Sequence, residues 1–176
     1  PGVSEGQIRD YLAEKMQEFG GEGGGGLVAS GPNAGFPHYC GDKRIIQEQD
    51  HMILDYGCQV HGMNSDMSRT VFVGSIDEKI GEIYDIVNRS QLAGQAAAKK
   101  GAFVPEVDRA ARQVIEEAGY GAYFPYRLGH GIGYSVHEGP YIHGNNPMQL
   151  DAGMAFSVEP GIYLPGKGGV RIENII

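Results

Sequence analysis

Cysteine is scarce in this chain: Cys40 and Cys58 are the only two among 176 residues. Two thiols cannot build a disulfide framework, and this pair lacks the spacing of a zinc site, so both read as reduced structural thiols. Long apolar runs are missing as well. No stretch approaches the roughly 18 residues a membrane-spanning helix needs, and no secretory signal pattern opens the chain. The expectation is a cytoplasmic protein with no membrane partner. Positive charge is in deficit, with 14 Lys and Arg against 22 Asp and Glu and a formal net charge of -8. A nucleic-acid backbone demands clustered basic residues, so that class of partner is excluded. An initiator methionine is lacking too: the chain opens at Pro1, which suggests a piece of a longer protein.

What is present suits one globular domain, with 41% hydrophobic and 20% charged residues and enough length for a full-sized core. Ser4 and Gln7 form a capping-box signature, followed by Ile8, Leu12, Met16 and Phe19 at helical spacing and a stop at Gly20 and Gly21. The run Gly23 to Gly26 reads as a flexible loop, and Leu27 to Ser30 as a short strand. Met52 to Val60 reads as a buried strand, joined through a turn at Gly62 and Asn64 to a second, Met67 to Val73. Asp77 caps a predicted helix running to about Lys100, with Ile80, Ile83, Tyr84, Val87 and Leu92 on one face. Pro105 opens another, with Val107, Ala111, Val114 and Ile115 inward and Gly119 as its stop. Strands return around Ala155 to Val158 and Gly169 to Ile175. An offset of 99 residues aligns Gly2 with Gly101, Ile8 with Val107, Met16 with Ile115, Glu18 with Glu117, Gly20 with Gly119 and His38 with His137. Two similar halves are the expectation.

The chemistry gathers in a few polar residues set into apolar strands. Asp55 lies within Ile53-Leu54-Asp55-Tyr56-Gly57, and an unpaired buried carboxylate costs several kcal/mol. Asp66 follows in Ser65-Asp66-Met67-Ser68-Arg69-Thr70, where two antiparallel strands would bring it beside Asp55. Adjacent carboxylates repel unless a proton or a cation lies between them. For these two alone, the plainer reading pairs Asp66 with Arg69 and lets Asp55 cap a turn. Three further residues change the balance: His130 between glycines in Gly129-His130-Gly131, Glu159 ending Phe156-Ser157-Val158-Glu159, and Glu173 in Val170-Arg171-Ile172-Glu173-Asn174. Four carboxylates and one imidazole make an oxygen-rich donor set, able to satisfy two divalent ions about 3.5–4 Å apart.

From residue 27 onward the chain resembles the pita-bread metallopeptidases, which include methionine aminopeptidase, Xaa-Pro aminopeptidase and Xaa-Pro dipeptidase (prolidase). All five positions of that family's ligand set occur in order, as Asp55, Asp66, His130, Glu159 and Glu173. The resemblance implies an α+β fold, a pseudo-symmetric antiparallel sheet covered by helices. It also implies that Asp66 and Glu173 bridge two ions, Asp55 holds one, and His130 and Glu159 hold the other. The segments Ala29-Ser30-Gly31-Pro32-Asn33 with Pro37-His38, Ser65 to Thr70, and Gly129 to Pro140 are similar to the proline-specific branch. So is Val170 to Asn174, where methionine aminopeptidases carry a Phe-Glu-His-type sequence. The activity implied is hydrolysis of the peptide bond between an N-terminal residue and proline, on a peptide with proline second. Methionine aminopeptidase, a metal-free creatinase-like hydrolase and a metal-free binding relative are the alternatives.

By the same resemblance Glu159 acts as general base, His137 contacts the scissile carbonyl or developing oxyanion, and His38 lines the substrate pocket. Arg171 and Tyr163 belong to a supporting polar network. Tyr126 stands where proline-specific members usually carry histidine, and a phenol holds its proton too tightly to shuttle it at neutral pH. The remaining histidines, His51, His61 and His143, read as structural or surface residues. The donor set favours Mn²⁺, with Co²⁺ or Fe²⁺ behind it and Zn²⁺ less suited. Proline-specific members carry an N-terminal domain that takes part in dimerisation. Residues 1–176 are therefore expected to be the catalytic domain of a homodimeric parent, with the last strand cut short.

Overall fold

Helix α1 (Glu5–Glu18) starts at the capping box: Ser4 Oγ accepts from Gln7 N at 3.1 Å, and Gln7 Oε1 accepts from Ser4 N at 2.8 Å. The computed structural model describes residues 1–176. The apolar stripe of α1 is only half-buried, and Phe19 at its end is 89% exposed; the buried positions are Glu5 and Gly6.

Helix α1 packs on β1 (Glu22–Ser30), which pairs antiparallel with β2 (His51–Val60). The glycine run is thus strand and not a flexible loop. Gly25 lies opposite Gly57 and Gly26 opposite Tyr56, and a Cβ on Gly26 would overlap the Asp55 carbonyl oxygen. Missing side chains here let two strands approach closely beside Asp55. His61 (φ 52°) and Gly62 (φ 80°) make the tight turn into β3 (Met63–Asn64), and β3 and then β4 (Met67–Phe72) pair with the edge of β2 that β1 leaves open.

Helix α2 (Glu78–Ala97) is capped by Asp77 Oδ1, which accepts from Ile80 N at 3.0 Å, and it ends slightly before Lys100. Helix α3 (Val104–Glu117) packs against it. Their facing sides join the strands in one core that includes Ile83, Val87, Val107, Ala111, Ile115 and Val170. Leu92 departs from the predicted face and is 54% exposed. Ser90 points inward instead, its hydroxyl donating to Ala111 O at 2.7 Å, which satisfies a polar group that burial would otherwise penalise.

The second half is built of short antiparallel pairs: β5 (Gly129–Gly131) with β6 (Glu138–Ile142), β7 (Ser157–Val158) with β10 (Asn174–Ile175), and β8 (Gly161–Leu164) with β9 (Gly168–Arg171). Strands β5, β6 and β8 were not expected from the sequence. The repeat is visible in the backbone: α3 matches α1 at the offset of 99 from first residue to last. Gly101 and Gly119 (φ 86° and 84°) match Gly2 and Gly20 (φ 84° and 89°). Gly2 N donates to Ile46 O at 2.8 Å, and Gly101 N donates to Leu150 O at the same distance. No helix of the chain is long and apolar enough to cross a membrane.

Candidate metal centre

Strand pairing decides where the first carboxylates stand. Asp55 is opposite Ser68 in the β2–β4 ladder, so Asp66, at the entrance to β4, lies beside it. Since side chains alternate along a strand, Asp66, Ser68 and Thr70 share one face. Ser68 Oγ donates to Glu173 Oε2 at 2.8 Å, and Thr70 Oγ1 donates to Arg171 O at 2.9 Å. These bonds dock the first half on the C-terminal segment that carries Arg171 and Glu173. Arg69 adds a third link, donating to Glu173 O at 2.5 Å and to Asn174 Oδ1 at 2.8 Å. The Asp66–Arg69 ion pair of the plainer reading does not form.

His130 and Glu159 arrive from β5 and from just beyond β7. Ser157 joins them: its hydroxyl accepts from His130 N at 3.0 Å and donates to Glu159 Oε1 at 3.0 Å. All five predicted side chains are brought together. Ligand atoms of Asp55, Asp66 and Glu173 lie within 4.8 Å of one another, as do those of His130, Glu159 and Glu173. Asp66, His130 and His137 form a third such group.

The donor set fits a divalent cation on three observations. Glu173 is 1% exposed, and its Oε1 is buried with no hydrogen-bond partner. Such an orphan carries the full cost of lost solvation. His130 Nδ1 sits 3.0 Å from the Gly131 carbonyl, an acceptor only, so Nδ1 carries the proton and donates. Its Nε2 then faces Glu159 Oε1 at 3.3 Å and Asp66 Oδ2 at 3.7 Å, an arrangement that a cation among the three atoms would satisfy. Protons bind tightly for the same reason. Burial, reinforced by Asp55, raises Asp66 to about 6, and burial raises Glu159 to about 7 against the opposing pull of Arg171. Burial and the neighbouring Glu159, Asp66 and Asp55 push Glu173 well above the usual carboxylate range.

Arg171 is the internal counter-charge. It is 4% exposed and donates to Asp55 Oδ2 at 2.5 Å, Ser68 Oγ at 2.9 Å, Pro37 O at 3.0 Å and Tyr163 Oη at 3.1 Å. Tyr163, buried beneath it, is raised by burial. His137, exposed at the mouth of the site, packs edge-on to His130 with ring centroids 4.2 Å apart, and partial desolvation followed by His130 lowers its pKa. His38 meets Tyr126 edge-on at 5.2 Å. A cavity of about 320 Å³ is lined by His38, Tyr126, Arg127, His137, Glu159 and Arg171. A second, of about 560 Å³, opens beside Asp55, Asp66 and His137 under the glycines of β1. Sequence reasoning missed Ser68, Thr70, Ser157 and Arg127; the period-two pattern from Asp66 was the available signal for the first two.

The whole chain, residues 1–176, matches the model of metallopeptidase family M24. It belongs to that family. An Xaa-Pro dipeptidase of Pyrococcus furiosus is 43% identical to this M24 chain over 150 residues, covering 85% of the chain and 43% of the relative. The structure of the Xaa-Pro dipeptidase from Bacillus anthracis superposes with a TM-score of 0.98 at 42% identity, covering 100% of this chain and 50% of that one. The X-Pro aminopeptidase from Thermotoga maritima gives 0.96 at 37% identity over 99% of this chain and 50% of its own. The α+β pita-bread fold expected from the resemblance is therefore the fold of this M24 chain. The chain spans about half the length of the curated relatives it matches.

Proposed function

We propose that this chain forms the metal-dependent half of a hydrolase that cleaves the peptide bond between an N-terminal residue and proline, as an Xaa-Pro aminopeptidase or dipeptidase. The observation that carries the reading is the convergence of five ligand-type side chains around an unpartnered buried carboxylate oxygen. Relatives named for Xaa-Pro cleavage support the choice of substrate.

Asp55, Asp66, His130, Glu159 and Glu173 would hold two divalent ions, with Mn²⁺ favoured by four oxygen donors and one imidazole. A bound pair of this kind supplies Lewis acidity and activates water at neutral pH. The chain's own groups do the rest. Glu159, open to the 320 Å³ cavity, takes a proton from the attacking water and returns one to the departing amine. His137, beside the 320 Å³ cavity, donates a hydrogen bond to the scissile carbonyl oxygen as charge grows there. Arg171 balances Asp55, Tyr163 steadies Arg171, and His38 and Tyr126 shape the cavity that receives the peptide. Loaded with Mn²⁺, the chain is expected to release the first residue of an alanyl-proline peptide, with about two equivalents of metal by mass spectrometry. Asp66→Ala is expected to reduce turnover to background. Equal cleavage of an alanyl-alanine peptide would refute the proline assignment.

A further inference from the structure

A buried carboxylate lies outside the metal centre, and the cleavage reaction proposed above does not use it. Glu5, in the first turn of α1, is 0% exposed. Its Oε1 accepts from Ser30 N at 2.6 Å, Ser30 Oγ at 2.7 Å and Asn33 Nδ2 at 3.1 Å, and its Oε2 accepts from Asn33 Nδ2 at 3.2 Å. Asn33 Nδ2 also donates to Tyr39 Oη at 2.8 Å. Ser30 Oγ accepts in turn from Arg44 at 2.6 Å, and Arg44 is paired with Asp50 through both carboxylate oxygens.

The internal repeat fills the matching place without a carboxylate. At the offset of 99 Glu5 corresponds to Val104, also first in its helix and also 0% exposed. Both positions are held alike by the backbone: Glu5 N donates to Arg44 O at 3.0 Å and Val104 N to Met148 O at 2.9 Å. The residues matching Ser30 and Asn33 are Gly129 and Ile132, which offer no side-chain donors. An apolar side chain thus fills this place in one half, while the other half buries a polar carboxyl group there at a desolvation cost that its hydrogen bonds offset. What those bonds hold is the segment leading to His38. The neighbour on one side, Tyr39, is tied through Asn33 to Glu5; the neighbour on the other, Pro37, is tied through its carbonyl to Arg171.

We infer that Glu5 is a positioning residue that acts through Asn33 and Tyr39 to fix His38 at the rim of the 320 Å³ cavity. The inference rests on the proposed Xaa-Pro hydrolysis for its kinetic readout and on the fold alone for its spectroscopic one. In the Mn²⁺-loaded chain, Glu5→Gln and Tyr39→Phe are each expected to lower kcat/KM for alanyl-proline about tenfold, with metal content unchanged. Combined with His38→Ala, each is expected to add no more than twofold to the loss from His38→Ala alone, because coupled residues are non-additive. In the metal-free chain the His38 ring resonance, assigned by its loss in His38→Ala, is expected to shift and broaden in both variants while that of His143 stays fixed. Fully multiplicative losses in the double variants, or an unmoved His38 resonance, would overturn the inference. A wild-type chain inactive on alanyl-proline would refute the substrate reading and leave the resonance to decide the role of Glu5.

Discussion

Three carboxyl groups of this centre, Asp66, Glu159 and Glu173, hold their protons more tightly than free carboxyl groups do until a cation arrives. Asp66 and Glu159 are held at about 6 and about 7, chiefly by burial with Asp55 adding to it, and Glu173 stands well above its ordinary value through burial and then Glu159, Asp66 and Asp55. The folded metal-free chain therefore keeps protons that the unfolded chain releases above its ordinary carboxylate range, about 4. Folded-state proton binding exceeds unfolded-state binding in that window, so metal-free stability falls as pH rises from about 4 through about 7. Thermal unfolding in excess chelator, followed from pH 4.5 to 8, is expected to show this decline. Asp66→Asn removes one of the repelling groups. It is expected to raise the melting temperature of the chelated chain at pH 7.5 by about 2–4 °C, the effect of about 1 kcal/mol in a domain this size. The same variant is expected to lose the stabilisation that added Mn²⁺ gives the wild type. A lower melting temperature for Asp66→Asn in chelator would show that repulsion at this position is already relieved.

At the scale of single elements, the β1–β2–β4 sheet sets how closely Asp55 and Asp66 stand. A Cβ at Gly57 would overlap the carbonyl oxygen of Ser65, the residue before Asp66, whereas one at Gly25, directly across the ladder, meets nothing within 4 Å. Gly57→Ala is expected to cost about 1–3 kcal/mol by overpacking and to weaken Mn²⁺ binding. Gly25→Ala is expected to leave both within error, and chemical denaturation with a metal titration would separate them. The same sheet shows what a sequence discloses about its elements. The start of α1 and the cap of α2 were legible because Ser4–Gln7 and Asp77 bond to their own first turns. The run Gly23 to Gly26 was misread because a glycine strand has no pattern of its own; only its partner β2 holds it extended. The unexpected strands β5, β6 and β8 have five residues or fewer, too short for a period to stand out. Asp55, Asp66, His130, Glu159 and Glu173 could be picked out because carboxylates and a glycine-flanked imidazole are conspicuous in apolar strands. Ser68, Thr70 and Ser157 gain meaning only from partners about a hundred or nearly thirty residues away.

Across the whole molecule, the two halves meet through polar contacts on Arg171. Its guanidinium reaches Asp55 and Ser68 in the first half, Pro37 in the segment before it, and Tyr163 in the second half. The core around α2 and α3 supplies apolar burial mainly to the second half, while β2 contributes only Ile53 to a much smaller cluster with Ala29, Ala34 and Tyr163. Orientation of the first half on the second thus depends more on this charge network than on hydrophobic area. Arg171→Met keeps much of the side-chain volume but leaves Asp55 beside three other carboxylates with no counter-charge. Breaking a buried pair in this way costs about 3–5 kcal/mol, and in chelator Arg171→Met is expected to lose close to that amount. A divalent cation restores positive charge next to Asp55, and binding to the folded state alone adds stability in proportion to the logarithm of metal concentration. Mn²⁺ is therefore expected to recover a larger share of stability in Arg171→Met than it adds to the wild type, read as the difference in melting temperature with and without metal. Equal metal-induced shifts in the two proteins would mean that Arg171 and the bound cations do not share Asp55, and that the halves are held together by something other than the charge at their junction.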